Sequence, residues 1–143
     1  MRVSTLLDAK GTTVLTVPRD ATVAEAVATL CRHRVGALVV SGDGEHIDGI
    51  VSERDVVRRL NDLHGALVNE PVTTIMSPDV RTCAPEDDVE SLMATMTEHR
   101  IRHVPVVHEG VLAGIVSIGD VVKARMEELQ KDRDELVEYI HAR

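Results

Sequence analysis

Apolar residues recur at helical spacing in two stretches of the chain, one in each half. Within each stretch they occupy positions i, i+3, i+4 and i+7, which places them on one face of a helix. Thr22 and Glu25 have the spacing of a capping box before the first stretch, and Asp88 takes the N-cap position before the second. The pattern predicts two amphipathic helices whose buried positions are Val23, Ala26, Val27 and Leu30, then Val89, Leu92, Met93 and Met96.

Short apolar runs follow each predicted helix. "ALVV" at 37–40, the turn "SGDG" and "HIDGIV" at 46–51 are typical of two strands joined by a tight connection. "HVPVV", "HEG" and "VLAGIV" repeat this order in the second half, and a helical pattern resumes after each "GIVS". Each half is therefore predicted to run strand, helix, strand, strand, helix.

The two halves of the chain are copies of one unit. "VSTLL" at 3–7 matches "VTTIM" at 72–76, and "GIVSERDVV" at 49–57 matches "GIVSIGDVV" at 114–122. The serine and the aspartate recur at the same offsets in both junctions. The repeat therefore includes polar residues that could bind a ligand as well as the apolar residues of the core.

Gly65 and the passage around residues 69–71 separate the two copies. We predict an α/β (α+β) fold with a first unit at 1–66, a second at 67–124, and 125–143 as a continuation of the last helix. Each unit alone would be marginally stable, so we expect the two to pack face to face around a pseudo-two-fold axis.

The last helix continues beyond the repeated unit. Its apolar stripe is interrupted at Arg133 and consists of Val122, Met126, Leu129, Leu136 and Ile140. A helix folded back on its own domain and an exposed charged face without a role are both compatible with this pattern. We favour a self-association helix, and hence a homodimer, because the stripe extends past the repeat.

Composition argues against nucleic-acid binding. The 143 residues include no Phe or Trp and a single aromatic residue, Tyr139, so the stacking platforms of single-strand binders are missing. The formal charge of −8 repels a phosphate backbone at long range. We therefore expect no nucleic-acid partner unless a local basic cluster overrides the net charge.

Neither a membrane span nor a secretion signal is evident, so we expect a cytoplasmic protein. Cys31 and Cys83 have no metal-type spacing to each other or to any histidine, and we interpret them as small core residues. No nucleophile elbow, P-loop or zinc-type spacing occurs, so we expect neither catalytic residues nor a metal site.

Serine and aspartate stand three residues apart at both strand-to-helix junctions, as Ser52 with Asp55 and Ser117 with Asp120. A capping box alone explains this spacing. The same helix start also offers free backbone N–H groups and the positive end of a dipole, which suit a phosphate or a sugar hydroxyl. An aspartate there can accept hydrogen bonds from both hydroxyls of a ribose.

The stretch "HRIRHVPVV" at 99–107 holds four potentially cationic groups, at His99, Arg100, Arg102 and His103. Solvated surface charge is one interpretation. In an acidic protein, such a cluster at the start of a strand also favours an anion-binding site. Pro105 lacks an N–H, so we expect an edge or frayed position there.

Taken together, the paired "G-h-h-S-x-x-D" junctions (h apolar), "RHVPVV" and "VTTIMSPDV" resemble a stand-alone tandem pair of CBS domains, often called a Bateman module. The likeness covers about residues 2–124. It implies two β-α-β-β-α units packed through their sheets into a disc with two related clefts. Modules of this kind commonly bind AMP, ADP, ATP, NAD or S-adenosylmethionine.

Carried over by position, the resemblance implies a cleft in the second half where Asp120 holds the ribose hydroxyls and Ser117 supports the sugar or phosphate. Other residues border the base and sugar or neutralise phosphate. They are Thr82, Arg100, Ile101, Arg102, His103 and Pro105. We expect this cleft to be the better site.

The resemblance implies that Asp55 and Ser52 play the same parts in a first-half cleft, where Arg54 is a phosphate candidate. The remaining residues of this cleft are Thr16, Val35, Gly36 and Ala37. Because Gly36 and Ala37 stand where the second half has Arg102 and His103, this cleft either borrows charge from the other half or binds weakly.

The resulting hypothesis is a sensor of adenine nucleotides, and so of cellular energy, that signals to an unknown partner protein or through its own dimer. Regulation of this kind requires the ligand to bind two states unequally. The alternative is a structural or interaction homodimer whose clefts are vestigial.

Overall fold

The computed structural model describes residues 1–142. The helices are α1 (Val3–Lys10), α2 (Val23–His33), α3 (Glu53–Leu63), α4 (Val89–His99) and α5 (Ile118–His141). The strands are β1 (Thr16–Val17), β2 (Ala37–Val40), β3 (Gly49–Ser52), β4 (His103–His108) and β5 (Val111–Ser117). Two 3-10 segments, His64–Asn69 and Val72–Thr74, connect the halves. No helix within residues 1–142 combines the length and apolar character needed to cross a bilayer.

Each half contributes its own small sheet. In the first half β1 pairs parallel with β2 and β2 pairs antiparallel with β3. In the second half β4 pairs antiparallel with β5, but the predicted first strand is reduced to an isolated bridge between Cys83 and Val106. The strand predicted there is therefore present only as this single parallel bridge.

Pro105 explains the missing strand. In the first half two backbone N–H groups at β2 donate hydrogen bonds to carbonyls at β1. Val39 donates to the Leu15 carbonyl at 3.2 Å, and Ser41 donates to the Val17 carbonyl at 2.9 Å. In the second half only Val107 does so, donating to the Cys83 carbonyl at 2.8 Å. Pro105 takes the place of Val39 and has no N–H to donate, so it lies where the ladder is interrupted.

The first residues of each unit pack in the hydrophobic core of the other unit. Val3 donates its N–H to the Asp87 carbonyl at 2.8 Å, and Val72 donates correspondingly to the Ala21 carbonyl at 2.7 Å. Val3, Leu6 and Leu7 are buried in the second core, while Leu67, Val72 and Ile75 are buried in the first. The division at 1–66 and 67–124 stays a prediction, but this reciprocal packing makes the two halves depend on each other.

The helix starts follow the predicted caps with one exception. Capping boxes form at Thr22, Ser52 and Ser117. Asp88 occupies the N-cap of α4 without a capping hydrogen bond from its side chain. Its carboxylate lies instead 3.5 Å from the N-terminal ammonium of Met1, because α1 enters the core beside it.

The cysteines lie in different environments. Cys83 is half-buried against the second core, and burial, followed by the nearby Asp87 charge, raises the pKa of its thiol to about 12. This thiol stays protonated and inert at neutral pH. Cys31 is exposed on α2, so its interpretation as a core residue is wrong.

The distal part of α5 does not fold back on the body of the protein. Val121 and Ala124 are buried, whereas the predicted stripe is exposed, with Met126 66% and Leu136 60% accessible. The helix therefore projects its apolar stripe into solvent in the single chain.

Candidate functional site

An open cleft of about 530 Å³ lies where the two halves meet, and we call it the shared cleft. Its first-half wall comprises Gly36, Ala37, Ile50, Ser52, Glu53, Arg54, Asp55 and Arg58. Its second-half wall comprises Ser77, His99, Arg100, Ile101, Arg102 and His103. The basic run "HRIRH" thus faces the Ser-Asp junction of the other unit.

The β3–α3 junction presents a carboxylate with one oxygen unused. Asp55 Oδ2 accepts hydrogen bonds from the Ser52 backbone N–H at 2.8 Å and the Ser52 hydroxyl at 3.0 Å. Within residues 1–142 Oδ1 of Asp55 has no hydrogen-bond partner, although the side chain lines the shared cleft. The capping box fixes the carboxylate and leaves Oδ1 available to a hydroxyl donor.

Four arginines line the shared cleft, and they outnumber its carboxylates, Glu53 and Asp55. They are Arg54, Arg58, Arg100 and Arg102, and none of them forms an ion pair within the described part of the chain. Arg125 on α5, in contrast, is held by Glu90 at 2.9 Å and Glu128 at 2.8 Å. Unpaired guanidinium groups in a cleft are suited to bind phosphate.

His103 of the second unit packs closely against Gly36 of the first unit. A Cβ atom on Gly36 would lie 3.0 Å from His103 Cε1, so the glycine makes room for the imidazole. Burial lowers the pKa of His103, with Glu53 and Asp120 opposing the shift. The ring is therefore mostly neutral at pH 7, which corrects the view of this run as four cations.

The β5–α5 junction repeats the capping box, but its carboxylate has an additional partner. Asp120 Oδ2 accepts from the Ser117 backbone N–H at 2.9 Å and from Lys10 Nζ at 2.6 Å. Lys10 Nζ also donates to the Ile115 carbonyl at 2.7 Å. Burial disfavours the charged form of Asp120, but the hydrogen bonds from Lys10 and Ser117 outweigh it and lower the pKa of this carboxyl.

The structure distributes the residues assigned to the two clefts differently from the sequence. Arg100, Ile101, Arg102 and His103, assigned to the second-half cleft, line the shared cleft with Asp55. Thr82 lines a separate cavity of about 300 Å³ with His46 and Val107 among other residues.

The other assigned residues lie on strands and turns around these clefts. Pro105 is buried in β4, Thr16 begins β1, and Val35 precedes β2. Their roles at a ligand site stay predictions.

Sequence reasoning missed Arg58, Ser77 and Lys10. Arg58 lies one helical turn after Arg54, so the i, i+4 spacing was an available signal. Ser77 follows "VTTIM" and reaches the cleft through the exchange of segments between units, as its backbone pairs with that of Ile50. Nothing in the local sequence connects Lys10 with Asp120, which lies 110 residues away.

Comparisons with known proteins agree with this architecture. Residues 10–62 and 72–127 each match the CBS domain family. The mitochondrial CBS domain-containing protein CBSX3 of Arabidopsis thaliana is 39% identical over 125 residues, which cover 85% of this chain and 61% of CBSX3. The chain thus spans less than two thirds of that relative.

Two solved structures are also similar. The CBS-domain containing protein ATU1752 from Agrobacterium tumefaciens has a TM-score of 0.85 and 44% identity, covering 87% of this chain and 99% of its own. The CBS domain protein PAE2072 from Pyrobaculum aerophilum, complexed with AMP, has a TM-score of 0.73 and 31% identity, covering 84% and 89%. The repeated units, their junctions and these matches show that the chain belongs to the CBS domain family, as a tandem CBS pair.

Proposed function

We propose that this protein is a regulatory module that binds an adenine nucleotide in the shared cleft. The proposal rests mainly on one observation. Asp55, whose Oδ1 is unused, and four unpaired arginines line the same cleft of about 530 Å³. The AMP complex of the similar PAE2072 supports the choice of an adenine nucleotide.

Each part of a nucleotide has a complementary group in the shared cleft. The ribose hydroxyls donate to Asp55, and the phosphate binds the guanidinium groups of Arg100 and Arg102 together with the N-terminal end of α3. Ile50 and Ile101 supply apolar contacts for the base. This arrangement differs from the sequence expectation, which favoured the second-half cleft, and matches the alternative in which the first-half cleft borrows charge.

The excess of arginines favours phosphate-bearing ligands among the candidates. AMP, ADP, ATP and NAD carry phosphate, whereas S-adenosylmethionine carries a cationic sulfonium and no phosphate. We therefore place S-adenosylmethionine last for this cleft.

Regulation follows from the position of the cleft between the units. A nucleotide held by α3 of one unit and by residues 100–102 of the other stabilises one relative arrangement of the halves. That preference is transmitted to a partner protein or through a dimer, and the proposal assigns binding and no catalysis. A cytoplasmic location stays a prediction, and the relative CBSX3 is mitochondrial.

Self-association is part of the proposal. Val57 on α3 and Val122 on α5 take equivalent places in the two repeats and are 67% and 47% exposed. With Met126 and Leu129 they provide an apolar surface on both units of one chain, which suits a second copy related by two-fold symmetry. The same surface favours the alternative function, an interaction homodimer whose clefts bind nothing.

Calorimetric titration and thermal melting with AMP, ADP, ATP and NAD test the proposed function. A nucleotide at 100 times its dissociation constant adds about 2.7 kcal/mol to the unfolding free energy. Asp55→Asn keeps the size of the side chain and removes the charge, so we expect binding to weaken by about tenfold or more. Asp62→Asn, at an exposed position on the same helix, is the matched control.

Absence of any heat or melting shift with all four nucleotides contradicts the proposal and leaves the interaction homodimer. Equal binding by the wild type and Asp55→Asn contradicts the role of the shared cleft.

A further inference from the structure

The two repeated junctions differ in what contacts their carboxylate. Over the described residues 1–142, all hydrogen bonds of the Asp55 carboxylate come from Ser52 within its own turn. Asp120 is in addition bound by Lys10, the last residue of α1, with 2.6 Å between Nζ and Oδ2. The N-terminal helix is thereby tied to the β5–α5 junction, the counterpart in the second unit of the junction that carries Asp55.

Lys10 also contacts β5, the strand that leads into this junction. Its Nζ donates to the carbonyl of Ile115 at 2.7 Å. In the first unit the corresponding strand carbonyl, that of Ile50, accepts from the backbone N–H of Ser77 at 2.8 Å, and Ser77 lines the shared cleft. A flexible side-chain ammonium thus stands in the second unit where a fixed backbone amide stands in the first.

The sequence encodes this difference. When "VSTLLDAK" at 3–10 is aligned with "VTTIMSPD" at 72–79, Lys10 falls opposite Asp79. A carboxylate at that position does not attract the Asp55 carboxylate, because the charges are alike. Within residues 1–142 Asp55 therefore has no cationic partner, while Asp120 is neutralised by Lys10.

A ribose at the β5–α5 junction would share the Asp120 carboxylate with Lys10, which already contacts Oδ2. The ion pair is only partly exposed, with Lys10 29% and Asp120 25% accessible, so solvent screens it less than a surface pair. Lys10 contacts only Oδ2 of Asp120, so a ribose that uses both carboxylate oxygens has to displace the ammonium from Oδ2.

We propose that Lys10 is an internal competitor that determines which cleft binds nucleotide first. It occupies Asp120 and disfavours the second-half cleft, so the shared cleft binds at lower nucleotide concentration. A nucleotide that enters the second-half cleft displaces Lys10 and releases the end of α1 from β5. This inference rests on the proposed function, since it takes both clefts to bind the same class of nucleotide.

Calorimetric titration of the full chain with AMP tests the inference. The wild type should show one strong site that Asp55→Asn weakens. Lys10→Met should bind a second AMP about tenfold more tightly than the wild type does, since a charge-assisted contact no longer has to be broken. Adding Asp120→Asn to Lys10→Met should remove this gain.

Two control variants separate competition from general effects. Lys10→Arg keeps the ion pair and should resemble the wild type. Lys131→Met removes the same charge from an exposed position on α5, three helical turns after Asp120, and should change neither site.

A measurement without nucleotide distinguishes this inference from the proposed function. NMR titration of the Asp120 carboxyl should show a higher pKa in Lys10→Met than in the wild type, and an unchanged pKa overturns the inference. Unchanged or weaker second-site binding by Lys10→Met also overturns it, while an Asp55-dependent site leaves the proposed function standing. No AMP binding by any variant overturns the proposed function and this inference with it.

Discussion

At the scale of single residues, burial sets the chemistry of the interface between units. His103 lies against Gly36, and burial lowers the pKa of its imidazole despite the charges of Glu53 and Asp120. Lys10 and Arg102 act in the same direction as burial. The histidine is thus kept neutral in the apo protein, and the phosphate-binding charge of the shared cleft comes from its arginines.

His103 should make stability depend on pH below the usual histidine pKa of 6.5. Because its folded-state pKa is lowered, the unfolded chain binds the proton first as pH falls. The stabilisation is therefore complete above pH 6.5 and is lost as pH falls through 6.5 towards the folded-state value. We expect the unfolding free energy of the wild type to fall relative to that of His103→Gln over this range in urea titrations.

His46 acts with the opposite sign, because its hydrogen bond to Asp43 raises its pKa. Its contribution is the same in the wild type and in His103→Gln, so it cancels in the comparison. A constant difference between the two proteins from pH 7.5 to 5 would contradict the burial of a neutral His103.

At the scale of elements, local rules predicted the helices and strands well, and tertiary contacts changed the rest. The buried stripes of α2 and α4 and the capping boxes at Thr22, Ser52 and Ser117 depend on neighbours within one turn. The missing strand opposite Pro105 follows from one absent N–H that the sequence also shows. The neighbours of Asp88 and Asp120 are Met1 and Lys10, at the two ends of the N-terminal segment 1–10, and no periodicity in the sequence indicates them.

Gly49 shows how closely the exchanged segments pack. A Cβ atom at this position would lie 2.5 Å from Met76 Sδ and 3.0 Å from the Ser77 carbonyl oxygen, which is backbone. We expect Gly49→Ala to lower the unfolding free energy by about 1–3 kcal/mol, because the segment at 72–76 must move away from β3. Gly65→Ala, with open space around the new Cβ, should be near neutral or slightly stabilising. Equal stabilities of the two variants in urea denaturation would contradict this packing.

At the scale of the whole molecule, the sequence revealed the repeat but not the contacts that the repeated units make with each other. Matching segments revealed two units and a pseudo-two-fold relation. They did not reveal that residues 3–7 and 72–76 each pack in the core of the other unit, or that the basic run of one unit faces the Ser-Asp junction of the other. Both features depend on contacts between residues far apart in sequence. These contacts bring residues of the two repeated units together in the shared cleft.

We expect the exposed apolar surface of α3 and α5 to form a dimer interface with a second chain. Met126→Glu places a charge in the centre of the apolar stripe, and we expect it to weaken the dimer by at least about a hundredfold, since the charge is buried without a partner. Ala94→Glu adds the same charge to an exposed position on α4 and should leave the dimer intact. Sedimentation over a concentration series measures both, and a wild type that stays monomeric contradicts the proposed surface.

The most direct test of the account is a crystal structure of the protein saturated with AMP. The account predicts AMP in the shared cleft, with the ribose hydroxyls about 2.7–3.2 Å from the Asp55 carboxylate and the phosphate on Arg100 and Arg102. AMP bound at another place, with the shared cleft holding no nucleotide, would contradict it.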